Sequence, residues 1–212
     1  SKPHPWRFKR EKDPGFFNYY KKRYGSAESI ASGYFTSACS PLVYRDHALP
    51  GLHGSYFVCE PSTNVVHRAI IKQEGTFLKL ERPESESKRE FLASSDVWFH
   101  PISLAHDPSG AIVIVDFYRE IIEDYSAIPR YLQQQYQLDT GKDHGRIWRL
   151  VHEDMPKAPN ADMSKLGATA LAEETGSAYH WRRTTARRLL VEKATLSPEA
   201  INILNELASN AS

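Results

Sequence analysis

Cysteine is scarce in this chain, and the scarcity excludes several chemistries at once. Only Cys39 and Cys59 are present. Neither sits in a C-x-x-C or C-x-x-C-H arrangement, so the chain by itself offers no thiolate zinc site, dithiol redox motif or covalent haem attachment. The pair reads either as two buried small hydrophobes or as a disulfide between neighbouring strands, and the second reading implies an oxidising compartment. Long apolar runs are also missing. The longest, Ala111-Ile112-Val113-Ile114-Val115, is far short of the roughly 18 residues that a membrane-spanning helix needs. Charge of one sign is not in excess either, with 27 Lys and Arg against 26 Asp and Glu and a formal net charge of +1. No overall field draws the chain to nucleic acid or to anionic lipid. The chain begins at Ser1 without a charged-then-apolar leader, and it stops at Ser212 where a helix has just finished. Both ends read as cut, so a fragment of a larger protein is the expectation.

What is present is enough for a core: hydrophobic residues make up 41% of 212. Residues 1–33 are expected to be a loop or hairpin region. Within them, Ser1 to Ser26 holds eight Lys or Arg and seven aromatics, a mixture that can stack bases and hold phosphates but equally packs as a long loop with snorkelling Lys stems. From residue 34 to 152 the text is strand-like. Tyr34-Phe35-Thr36, Leu42-Val43-Tyr44, Tyr56 to Cys59, Val65 to Ile71 and Thr76 to Leu80 are separated by Pro50-Gly51, His53-Gly54, Pro61-Ser62-Thr63-Asn64 and Glu74-Gly75. Short strands with tight turns predict one antiparallel sheet.

A second set follows the charged linker Glu81 to Glu90. Pro101 to His106 enters Asp107-Pro108-Ser109-Gly110, a type I turn with Pro second and Gly fourth, and Ala111 to Phe117 continues as an apolar strand. Gly145 to Leu150 completes this set after an insertion in which Pro129 opens a short helix. Two such units in succession are what stacked propeller blades look like, although sandwiches share the signature. Residues 153–163 read as a linker and 164–212 as helices. One spans Ser164 to Glu174, one has Trp181, Thr185, Ala186, Leu189 and Leu190 on one face, and one is announced by Ser197-Pro198-Glu199 with Ile201, Leu204 and Leu207 on its apolar face. Arg182, Arg183, Arg187 and Arg188 read as a solvated face, with a docking surface as the sharper alternative. Helices this short expect stacked neighbours, as in an α-solenoid.

Several short motifs occur in a fixed order: Thr36-Ser37-Ala38-Cys39, Tyr44-Arg45, Phe57-Val58-Cys59-Glu60-Pro61, Asn64-Val65-Val66-His67-Arg68, Glu90-Phe91-Leu92-Ala93-Ser94, Asp96-Val97-Trp98-Phe99-His100-Pro101, Asp116-Phe117-Tyr118-Arg119 and Gly145-Arg146-Ile147-Trp148-Arg149-Leu150. Together they resemble the bacterial membrane-bound dehydrogenase propeller family, which is distantly similar to soluble quinoprotein glucose and sorbosone dehydrogenases. The resemblance covers roughly residues 34 to 207. It departs at His100, where the family pattern has Trp-Phe-Arg-Pro. It implies a fold that is mainly β with an α C-terminal part: the last blades of a β-propeller followed by the start of a HEAT-like solenoid. It also implies oxidation of a sugar or alcohol, a quinone and calcium as cofactors, a c-type haem in a domain outside this chain, and a periplasmic, secreted or cell-envelope location. The expected partners are the remaining blades and HEAT repeats. Since a ring needs more blades of roughly 40 residues each, the isolated chain is expected to be inactive. The other reading is a non-catalytic scaffold that binds a glycan or protein.

The residues that could carry chemistry lie at strand ends. Glu60 and His67 bracket one hairpin, and a carboxylate that orients an imidazole makes a base for a hydroxyl proton. The plainer alternative is an Arg68–Glu60 or His67–backbone network that pins the turn. His100 is a further catalytic candidate, and Arg68, Tyr118 and Arg119 are candidates for holding a cofactor's acid groups through donor forks. Asp116 either accepts backbone N–H bonds that close the blade or joins Asp96, Glu120, Glu123 and Asp124 as hard oxygens for calcium, although no D-x-[DN]-x-[DN]-G loop is present.

Overall fold

The computed structural model describes residues 35, 37–96, 98–119, 122, 129–135, 137, 140–155, 162–193 and 195–210. Eight strands and four α-helices run among them in chain order. The expected loop over 1–33, and with it the flanking Tyr34 and Thr36, lies outside the described residues.

The first sheet is built from β1 (Cys39–Val43), β2 (Ser55–Glu60), β3 (Val65–Glu74) and β4 (Phe77–Glu81), hydrogen-bonded in that order, and β5 (Leu92–Ala93) joins β3 at its start. Every pairing in it is antiparallel. Val65, Val66, Ile70 and Ile71 make β3 a strand because branched side chains fit a pleated surface better than a helix. The β2–β3 connection is a 3-10 turn, Pro61–Thr63, closed by Asn64 at φ 59, a left-handed conformation that Asn tolerates well. Antiparallel register then decides the faces. Val58 opposes His67 and Glu60 opposes Val65 on one side, while Phe57 opposes Arg68 and Cys59 opposes Val66 on the other. Phe57 is fully buried, edge-on to Phe91 at 4.9 Å. The far end of the β3–β4 hairpin is exposed on both faces. Lys72, Glu81, Lys79 and Glu74 form an ion-pair ladder on one of them.

The second sheet has the order β6 (Pro101–His106), β7 (Ile112–Asp116) and β8 (Arg146–Leu150). The β6–β7 connection is the expected turn. Gly110 N–H donates to Asp107 O at 3.1 Å, and the Asp107 carboxylate accepts from the Ser109 and Ala111 main chain. Between β7 and β8, α1 (Arg130–Gln135) starts directly after Pro129, as the sequence predicts. The architecture is thus mainly antiparallel β with an α-helical C-terminal part.

The described residues fall into two compact units, one of 35–43, 55–104 and 114–148, the other of 44–54, 105–113 and 149–210. The second contains α2 (Ala168–Glu174), α3 (His180–Glu192) and α4 (Pro198–Ser209). Met163, Leu171, Ala186 and Leu190 form their shared core, with Trp181, Leu189 and Leu204 packed against it. α2 begins four residues later than the composition predicts. Asp162 draws the Ser164 N–H and hydroxyl into a local turn that competes with helix. The Ser197 hydroxyl accepts from Ala200 N–H and so caps α4 as expected. The solvated reading of the arginine face holds for Arg187 and Arg188, which are exposed, but not for the two before them. Arg182 is buried against Glu174, and Arg183 donates to the carbonyls of Ser177 and Arg45.

A second, polar core lies in the same unit. Asp46 is fully buried and accepts the His180 main-chain N–H at 2.6 Å, while His106 Nε2 accepts the Arg45 N–H at 3.1 Å and its ring stacks on Tyr44. That bond requires a neutral Nε2. Burial, reinforced by His180, pushes the His106 imidazole down to about 4, against the opposing pull of Asp46. Between 6.5 and about 4 the unfolded chain therefore binds a proton that the folded one refuses, and stability falls as pH drops. The expected loss at the lower end is about 3 kcal/mol. Urea unfolding across that window should show the loss, and His106→Gln should abolish most of it. An equal loss in the variant would contradict the assignment.

Candidate functional site

The β3 strand presents His67 on the face it shares with Val58, Glu60 and Val65. β5 pairs Ala93 with Val65 and Leu92 with Val66, which carries the preceding residues back along β3 and brings Glu90 to His67. The His67 Nδ1 to Glu90 Oε2 distance is 2.8 Å. Arg82 grips the same carboxylate with both terminal nitrogens, at 3.1 Å to Oε2 and 2.9 Å to Oε1, and its Nη1 also donates to the Arg89 carbonyl. Burial by itself would raise the Glu90 carboxyl, but the hydrogen bonds from His67 and Arg82 and the Arg82 charge outweigh it and bring the group down to about 2. Glu90 is therefore an anion that can only accept. Nδ1 of His67 must carry the proton, and the basic lone pair sits on Nε2. Among the described residues no hydrogen bond to that nitrogen is formed, and the side chain is 14% exposed. Phe35 meets the imidazole edge-on at 5.1 Å.

This arrangement corrects the expected pairing of Glu60 with His67. Glu60, fully buried at the end of β2, accepts the Ser37 N–H at 3.0 Å, and Glu90 takes the orienting role. The alternative Arg68–Glu60 network does not fit either, because the register places the two on opposite faces. Arg68 donates to Ser55 Oγ at 3.0 Å and to the buried Glu86 at 3.2 Å.

Asp116 ends β7 and is 1% exposed. Its Oδ1 accepts the main-chain N–H groups of His100 and Tyr118, at 2.9 and 3.0 Å. Its Oδ2 accepts from Arg146 Nε at 2.9 Å and Trp148 Nε1 at 3.1 Å. The Arg146 guanidinium continues to Asp96 at 3.1 Å and lies over the Tyr118 ring at 3.7 Å. Four N–H donors occupy the Asp116 carboxylate, which leaves no acceptor capacity for a hard cation, so calcium at Asp116 does not fit. Glu120, the other residue expected there, lies outside the described residues, as do Glu123 and Asp124.

His100 is buried, and its Nδ1 sits 3.0 Å from the Trp98 carbonyl. Burial pushes its imidazole below the ordinary range, and its main-chain N–H to Asp116 stitches the strand ends together. Arg119 lies against Phe117 and donates its main-chain N–H to Trp98 O. Arg68 is held by Glu86 and Ser55 and the Tyr118 ring is covered by Arg146, so these two do not offer a fork for a quinone's acid groups. Three neighbouring side chains, His152, Glu153 and Asp154, have ligand atoms within 4.8 Å of one another, but His152 Nδ1 already accepts the Asp154 N–H.

Residues 8–154 match the family described as a domain of unknown function, DUF7133. The chain belongs to that family. The matched span covers both sheets, the His67–Glu90 pair and the Asp116 hub, and it ends before the helices α2 to α4. No curated protein and no solved structure matches the chain.

Sequence reasoning missed Glu90 and Arg82 because both stand in the charged stretch 81–90, which reads as solvated linker. A signal was available in Glu90-Phe91-Leu92-Ala93: a lone acid directly before a short apolar run that can pair as a strand.

Proposed function

We propose that this DUF7133 chain is part of a propeller-type dehydrogenase that oxidises a hydroxyl group of a sugar or alcohol, with His67 as the base. The observation that carries the reading is the Glu90–His67 contact at 2.8 Å. A buried carboxylate fixes the tautomer and orientation of the ring and stabilises the imidazolium that forms when Nε2 takes a proton. Arg82 keeps Glu90 ionised throughout. What these residues supply is the proton transfer: the substrate hydroxyl yields its proton to Nε2, and the paired anion disperses the charge.

The propeller reading draws support from the consecutive β1-β2-β3-β4 strand order, which is that of a propeller blade, and from a second sheet that follows it. The helices α2 to α4, short and joined by tight turns, suit the start of a HEAT-like array. Electron transfer to a c-type haem elsewhere in the polypeptide, and a periplasmic or cell-envelope location, belong to the same proposal. The second reading, a glycan-binding scaffold, is favoured by Trp148, which is 46% exposed while its indole N–H is fixed on Asp116.

The two readings separate in one assay. The polypeptide that carries this chain, incubated with an artificial electron acceptor and a panel of sugars and alcohols, should reduce the acceptor with at least one of them. No reduction across the panel, together with saturable binding of a glycan, would overturn the dehydrogenase and leave the scaffold.

A further inference from the structure

Cys39 and Cys59 stand directly opposite each other across β1 and β2. Both are free thiols, Cys59 fully buried and Cys39 partly exposed. Residues paired this way have Cα atoms roughly 4.5–5.5 Å apart, inside the roughly 4.4–6.8 Å span that a disulfide bridges, and they project from the same face of the sheet. The chain between Cys39 and Leu42 is irregular, with Ser40 at φ 52, so the start of β1 is held less regularly than the Leu42–Phe57 and Val43–Tyr56 pairs after it. The Cys39 Sγ meets the Ile102 carbonyl at 3.5 Å, a weak contact that costs little to give up.

From this placement we infer that Cys39 and Cys59 are a modification site: a reversible disulfide between them locks the start of β1 onto β2. The reaction takes two exchanges with a disulfide oxidant such as oxidised glutathione. The Cys39 thiolate attacks the oxidant, forming a mixed disulfide and releasing one thiol. Cys59, having lost its proton to solvent, then attacks Cys39 Sγ and releases the second. The two cysteine thiols are oxidised, and the oxidant is reduced to two thiols. The order follows from access, because the exposed thiol must react first and the buried one resolves it. Burial pushes the Cys59 thiol up to about 12, which makes the second exchange the slow one. The lock has a local consequence. Two residues before Cys39, the Ser37 N–H holds the Glu60 carboxylate, so fixing Cys39 fixes that bond as well. The inference stands whether or not the chain is a dehydrogenase.

The test treats the folded protein with oxidised glutathione, digests it without reduction, and looks for a Cys39–Cys59 linked peptide by mass spectrometry. The linked peptide is expected, along with a rise of about 5 °C in unfolding temperature that dithiothreitol reverses and Cys39→Ala lacks. Glutathione retained on Cys39 with no linked peptide would overturn the inference. So would a link that forms only after denaturation, or one whose formation lowers the unfolding temperature.

Discussion

Protein carrying Asp116→Ala should lose about 3–5 kcal/mol of unfolding free energy, the cost expected when a buried charge network is broken by removing one partner. The carboxylate is 1% exposed and accepts four N–H groups, two from the main chain at His100 and Tyr118 and two from Arg146 and Trp148. Alanine leaves the main-chain N–H groups of His100 and Tyr118 without their acceptor and Arg146 without its buried counter-charge. Arg146 keeps Asp96, but that contact lies nearer solvent and offsets little of the loss. The Asp116→Asn variant should lie between wild type and Asp116→Ala, since an amide keeps one acceptor oxygen and replaces the other with a donor that faces the donors of Arg146 and Trp148. Denaturant titration of wild type, Asp116→Asn and Asp116→Ala measures the series. Three coincident curves would mean that the hub carries no stability.

The parts of this fold that were legible in the sequence are those decided locally. Alternation and β-branching placed β2, β3 and β4 close to their true bounds. The Asp107–Gly110 turn and the Ser197 cap were readable because their hydrogen bonds close within four residues. Failures came where a distant partner decides. Glu90 is 23 residues from His67 in sequence, and only the pairing of β5 with β3 brings them together. Arg182 looks like its exposed neighbours by composition, and only the position of Glu174 makes it a buried ion pair. Of the two roles open to Asp116 in the sequence, acceptor of strand-end N–H groups and calcium ligand, the structure shows the first, but its side-chain partners belong to β8, 30 and 32 residues on.

Replacing Glu90 by glutamine should have the largest effect on turnover, because it keeps the size of the side chain while removing the charge that His67 and Arg82 share. The amide no longer enforces the Nδ1–H tautomer, and it no longer stabilises the imidazolium. A fall of about 10²–10⁴ in kcat follows, with KM little changed if substrate binding does not use Glu90. His67→Gln should show a loss of the same order, and the double variant should be no worse than either single one, since the two act as a unit. The decisive measurement is therefore kcat for acceptor-coupled hydroxyl oxidation in wild type, His67→Gln and Glu90→Gln of the complete polypeptide, each shown to be folded by its unfolding temperature. A loss of at least about a hundredfold in both variants is the result predicted. Folded variants that turn over at the wild-type rate would contradict the assignment of His67 as the base.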